Sequence, residues 1–121
     1  MKAVTVYTLK NCSTCRDAVK WLAAHGIKFT EKPIRETPPS VAELRMMLAG
    51  QEGGLRRLFN SSGLEYRALG LAQKLPGMTE AGALSLLAGN GSLVKRPLLL
   101  GPGVALVGFD EKTWSATLGR T

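Results

Sequence analysis

Cys12 and Cys15 are the only cysteines of the chain, spaced Cys-x-x-Cys in Thr8-Leu9-Lys10-Asn11-Cys12-Ser13-Thr14-Cys15-Arg16. Two thiols at this spacing can close a disulfide and reopen it, which is dithiol redox chemistry. A strand-like run precedes the pair and a helical pattern follows it, so Cys12 is expected at the first turn of a helix. Unpaired backbone N–H groups and the positive end of the helix dipole favour an anion there, and Lys10 and Arg16 add positive charge. Cys15 lies about one turn further in and is expected to be more buried and protonated. Cys12 then attacks and Cys15 resolves the mixed disulfide. The alternative is a pair of small core-filling thiols. A zinc site is not expected, because two Cys and the single His25 fall short of four ligands.

Elements that could position such a pair follow in order. Residues 3–9 are rich in β-branched and aromatic types and read as a strand. Residues 13–25 read as a helix with Cys15, Val19, Leu22 and Ala23 on one face, stopped at Gly26. Residues 28–34 read as a second strand, with Pro33 marking an edge or an end. Ser40 and Glu43 fit a capping box ahead of a helix ending near Gly50, with Val41, Leu44 and Leu48 as its apolar stripe. Short helices are expected at 53–59 and 64–71, and Thr79 caps another over 80–89. Residues 97–101 and 104–108 read as a hairpin through Gly101-Pro102-Gly103. Asp110 caps a last helix with Trp114 and Leu118 inward.

The order β-α-β, helices, β-β-α on one mixed sheet is the thioredoxin-like (glutaredoxin-like) α/β pattern. The chain is expected to be one domain, 1–121, with a helical insertion at about 38–92. In such folds a cis-proline opening the third strand faces the redox cysteine, which makes Lys95-Arg96-Pro97 the second site candidate. Arg96 would project toward Cys12, where a guanidinium can hold a thiolate or an oxyanion. His25, at the far end of the first helix, reads as a surface residue. Trp21 and Trp114 read as packing, Met46-Met47 as helix filler, and Arg56-Arg57 as a solvated face.

Composition narrows the setting. With 121 residues the chain can bury a core without staples. No apolar run approaches the roughly 18 residues of a membrane span, and the start lacks a signal-peptide pattern, so a cytoplasmic protein is expected. In reducing cytosol a Cys pair is more often catalytic, sensing or metal-binding than structural. Sixteen Lys and Arg against nine Asp and Glu give a net charge of +7, favouring acidic partners. The basic residues are scattered and no nucleic-acid motif is present, so direct nucleic-acid binding is not expected.

Taken together, Asn11-Cys12-Ser13-Thr14-Cys15-Arg16, Glu36-Thr37-Pro38-Pro39-Ser40, Leu58-Phe59-Asn60-Ser61-Ser62-Gly63, Tyr66-Arg67-Ala68-Leu69-Gly70-Leu71 and Leu93-Val94-Lys95-Arg96-Pro97-Leu98 resemble the glutaredoxin-coupled arsenate reductase family and its Spx-like relatives. The resemblance runs over nearly the whole chain. It implies a cysteine at Cys12 that attacks arsenate, an adduct reduced by glutathione and glutaredoxin, and three oxyanion-holding arginines. Arg96 matches one of these. Asn60 stands where the second is expected, and Gly108-Phe109 where the third is. Charged hydrogen bonds contribute roughly 1.5–3 kcal/mol each, so two missing clamps weaken dianion binding greatly. Cys15 has no counterpart in that enzyme type. Spx-type regulators share the Cys-x-x-Cys as a redox switch and bind the RNA polymerase α subunit; Gly53 lies near their polymerase-contacting glycine.

The resulting expectation is an arsenate-reductase-related thiol–disulfide oxidoreductase. Cys12, Cys15 and Arg96 are its catalytic residues, and Asn11, Asn60, Arg96 and Pro97 line its substrate site. Glutathione, glutaredoxin or thioredoxin serves as electron donor, with no bound cofactor. The alternatives are an Spx-like redox-sensing regulator and a true arsenate reductase.

Overall fold

The computed structural model describes residues 3–51 and 53–118. Four strands, β1 (Val4–Thr8), β2 (Phe29–Pro33), β3 (Leu98–Gly101) and β4 (Val104–Val107), form one sheet in the order β2-β1-β3-β4. β1 and β2 run parallel, while β3 is antiparallel to both β1 and β4. A parallel pair needs a crossover, and α1 (Ser13–Ala24) supplies it. Pro33, which cannot donate to a ladder, ends the edge strand β2 as its sequence suggests. β3 and β4 form the expected hairpin, and α6 (Glu111–Leu118) follows.

The sheet is buried on both faces by alternation along its strands. Val4, Val6, Leu99 and Leu106 pack with Ala18, Trp21 and Leu22 of α1 and Trp114 of α6. Trp114 meets Trp21 and Phe109 edge-on, at ring separations of 6.1 and 4.9 Å. Tyr7, Leu98 and Leu100 point the other way, into a second cluster with residues of the long segment between β2 and β3. That segment holds α2 (Val41–Ala49), a 3-10 turn (Gly54–Leu58), α3 (Leu64–Ala68), α4 (Leu71–Lys74) and α5 (Glu80–Gly89).

Caps read from sequence are present. Ser40 and Glu43 close a full capping box, Thr79 accepts from the Gly82 N–H at 3.0 Å, and Asp110 holds Lys112 N–H and the Thr113 hydroxyl. Three sequence expectations change. The inward face of α1 uses Ala18 and Trp21, while Ala23 is exposed, because the sheet contacts a stripe at 15, 18 and 22. Met47 is fully buried core rather than filler, whereas Met46 is 57% exposed. The helix expected at 64–71 is broken at Leu69-Gly70, and a separate turn continues through Leu75–Gly77.

Gly91 shows how tightly the insertion is clamped to the sheet. A Cβ on it would fall 1.9 Å from the Ile34 carbonyl oxygen, on the chain leaving β2. Gly91→Ala is therefore expected to cost at least ~2 kcal/mol in urea unfolding, with Gly89→Ala, whose Cβ meets nothing within 4 Å, changing stability by under ~1 kcal/mol. Equal effects of the two substitutions would contradict the close approach.

Candidate active site

α1 begins on a cysteine. Cys12 is its N-cap, with extended backbone, and its Sγ accepts the Cys15 N–H at 3.3 Å. Asn11, immediately before it, takes φ +66°, a left-handed conformation that Asn tolerates better than most side chains. This turn, closed by Cys12 N–H to the Leu9 carbonyl at 3.3 Å, carries the chain from the end of β1 onto the helix. Both cysteines are free thiols; Cys12 is half-buried and Cys15 is 2% exposed.

Their environments differ. Burial pushes the Cys15 thiol up to about 12, and its hydrogen bond with Cys12 adds to the shift. A backbone hydrogen bond from Leu9 and the charge of Arg96 pull weakly the other way. Burial thus favours the protonated form of Cys15. Cys12 stands at the helix N-terminus with a backbone N–H donor on its sulfur.

The second segment reaches the same end of the sheet through strand register. Tyr7 pairs with Leu98, so the preceding Pro97 comes level with Thr8, where the chain turns toward Cys12. The Arg96–Pro97 peptide bond is cis, Pro97 is buried, and its carbonyl accepts the Gly108 N–H at 2.8 Å. Arg96 is half-buried and folded back, its Nη1 donating to the Ser92 and Val94 carbonyls at 3.2 Å each. Its charge acts on Cys15, so Arg96 belongs to the site electrostatically while its Nη1 is committed to backbone.

Asn60 sits differently. Its N–H donates to the Leu93 carbonyl at 2.7 Å beside the Phe59–Val94 bridge, and its side chain lies over Gly63. No hydrogen bond among the described residues joins it to the cysteine pair. At the other arginine position, Gly108 has φ +71°, a backbone state in which any larger side chain is strained. The Lys95 stem runs past it, with Cε 3.6 Å from where a Gly108 Cβ would stand.

A cleft of about 670 Å³ opens beside Cys15, with Lys10, Asn11, Arg16, Lys20 and Glu31 on its walls. Glu31 is the acidic member and accepts the buried Thr8 hydroxyl. Sequence reasoning named Lys10 and Arg16 but missed Lys20 and the Thr8–Glu31 pair. The i, i+4 spacing of Arg16 and Lys20 on one helix signals the former; the latter depends on the parallel pairing of β1 with β2. His25 lies at the opposite end of α1, stacked on Trp21 at 4.1 Å. No cluster of three or more metal-ligating side chains occurs among the described residues, and none of their helices is long and apolar enough to cross a membrane.

The different settings of the two thiols have measurable consequences. At pH 7, iodoacetamide is expected to label Cys12 in the folded protein and spare Cys15, read by peptide mass spectrometry; labelling of both at equal rates would contradict the burial of Cys15. The folded state keeps the Cys15 proton that an unfolded thiol releases near 9.0, so stability falls as pH rises from 9 toward 12. Burial and the bond to Glu43 also raise the Tyr7 phenol, which adds to the decline. Urea unfolding of Cys15→Ala should therefore show a shallower alkaline fall than that of the wild-type chain.

Comparison with known proteins places this geometry in a family. The ArsC family model matches residues 7–117. An uncharacterized Bacillus subtilis protein, YusI, is 43% identical over 109 residues, covering 90% of this chain and 92% of its own length. A global transcriptional regulator, Spx 1 of Oceanobacillus iheyensis, is 30% identical over 118 residues, covering 98% and 88%. Among solved structures, an ArsC family related protein from Bacteroides fragilis superposes with a TM-score of 0.87 at 39% identity, over 93% and 95% of the two chains. A Streptococcus mutans protein described as a possible arsenate reductase does so with 0.82 at 37%, over 88% and 90%. The fold is the thioredoxin-like one of these neighbours. The chain belongs to the ArsC family, among arsenate-reductase-related proteins and Spx-like relatives.

Proposed function

We propose that the protein is a thiol–disulfide oxidoreductase in which Cys12 attacks and Cys15 resolves. The observation that carries this reading is the asymmetry of the pair: one thiol on the helix N-cap, the other buried behind it and protonated. The Cys12 thiolate attacks one sulfur of a substrate disulfide, forming a mixed disulfide and expelling the first substrate thiolate. Cys15 then gives up its proton, which ends on the departing second thiolate, and its sulfur attacks Cys12. The substrate leaves reduced and the enzyme holds a Cys12–Cys15 disulfide. Two equivalents of glutathione, or one reduced glutaredoxin or thioredoxin, restore both thiols. In this reading Arg96 acts on the pair through its charge, Asn11 shapes the turn before Cys12, and Pro97 and Asn60 are assigned to the substrate side. The setting is the cytoplasm, where such donors are kept reduced.

The same dithiol serves a second reading, favoured by the likeness to Spx regulators: a redox-sensing partner of the RNA polymerase α subunit. A true arsenate reductase is the less supported choice, since Asn60 and Gly108 occupy the places of two oxyanion-holding arginines.

Turnover of a small disulfide or a glutathionylated peptide, coupled to a thiol donor, separates these readings. Activity is expected in the wild-type chain and only background with Cys12→Ser. Cys15→Ser should accumulate the substrate–Cys12 mixed disulfide. Absence of turnover, together with redox-dependent capture of the polymerase α subunit, would replace the enzyme reading by the regulator. Arsenate-dependent thiol consumption at millimolar arsenate would replace it by the reductase.

A further inference from the structure

Two depressions on the helical segment between β2 and β3 lie side by side and are treated together as one groove. The larger, about 770 Å³, has an apolar wall of Leu55, Tyr66, Leu75, Pro76 and Met78, with Arg67 at its flank. The smaller, about 350 Å³, is lined by Arg57, Lys95 and Phe59. Arg56 and Ser61 line both, so the two are neighbours. Each volume is in the range of small-molecule sites, roughly 300–1,000 Å³.

The charge distribution along the groove is one-sided. Arg56, Arg57 and Lys95 meet at one end with the Ser61 hydroxyl, and no carboxylate lines either depression among the described residues. The one salt bridge among those residues, Arg45–Glu80, involves none of these cations. Neither Cys12 nor Cys15 lines the groove, so dithiol exchange makes no use of it. Guanidinium forks and an ammonium around a hydroxyl match a carboxylate or phosphate, and the apolar trough matches a hydrocarbon body.

We propose that this groove binds a small anionic amphiphile. Arg56, Arg57, Lys95 and Ser61 hold its head, and its body lies along Leu55, Leu75 and Met78. Lys95 directly precedes Arg96 and Pro97, so the head lies next to the active-site segment. The proposal is independent of the disulfide reading, because it is tested by binding alone.

The test is a titration of the full ¹⁵N-labelled chain with octyl phosphate below its micelle concentration, with 1-octanol and inorganic phosphate as the two half-ligands. Saturable amide shifts are expected in residues 54–61, 66–78 and 95, at an affinity at least about tenfold above either half-ligand. Combining Arg57→Ala with Lys95→Ala should lose that advantage while leaving octanol binding unchanged. Ala72→Trp, which fills the trough from an exposed lining position, should reduce octyl phosphate to the affinity of phosphate. Binding no tighter than octanol, binding no tighter than phosphate, shifts outside the groove, or no shifts at all would each overturn the proposal. So would a groove that responds to an acidic apolar peptide and not to octyl phosphate. The wild-type comparison of whole ligand with its halves decides the matter even where a variant fails to fold.

Discussion

Helix α1 starts on a sulfur atom, and the site depends on that one hydrogen bond. An N-cap normally uses a hydroxyl or carboxylate oxygen to satisfy an orphan N–H. Here the Cys12 sulfur does so for the N–H of Cys15, the other cysteine of the pair. Helix start and redox centre are therefore the same structure. The spacing of two intervening residues matches it, because the N–H that reaches an N-cap side chain belongs to the second or third residue after the cap. Cys15 is buried because it falls on the face of α1 that packs inward with Ala18 and Leu22, while Cys12 is half-buried.

What holds this cap in place is packing on both faces of the sheet. Ala18, Trp21 and Leu22 fix α1 against β1 and β3, so the direction in which the helix N-terminus points is set by core contacts well away from the thiols. On the opposite face, Tyr7 donates to Glu43 at 2.8 Å, joining β1 to the capping box of α2. Burial works against the Glu43 charge, but the Ser40 N–H, the Tyr7 hydroxyl and the charge of Lys32 outweigh it and hold the carboxyl below its usual range. The inserted helices are thus fastened to the strand that leads into Cys12. The pairing of β1 with β3 then sets Pro97 level with the end of that strand.

Much of this was legible in the sequence because it is local. Ser40 with Glu43, Thr79 and Asp110 announce helix starts through side chains that reach only three residues. Gly101-Pro102-Gly103 announces a hairpin, and Cys12 and Cys15 announce their own separation. The unreadable parts are those set by distant neighbours. Nothing near Gly91 says that Ile34 will pass within contact of it. Ala23 looks as apolar as Ala18, and only the sheet decides which is covered. Leu71, Leu75 and Met78 at helical spacing carry the signal of the turn after α4, which Pro76 and Gly77 interrupt. At the site, the cysteines were read correctly in position and burial. Arg96 donating to the Ser92 and Val94 carbonyls and Asn60 folding over Gly63 are short-range contacts, whereas the pairing of the 58–60 and 93–95 segments that carry them is long-range, and no local pattern encodes it.

The account turns on Cys12 and Cys15 acting as one two-electron couple rather than as two separate thiols. Equilibration of the folded protein in defined glutathione buffers, with acid quenching and whole-protein mass spectrometry, measures this directly. The expected result is a single transition to an intramolecular disulfide, without glutathione attached, at a potential between about −270 and −120 mV. Glutathione adducts on Cys12 with Cys15 remaining a free thiol across the whole range would contradict it.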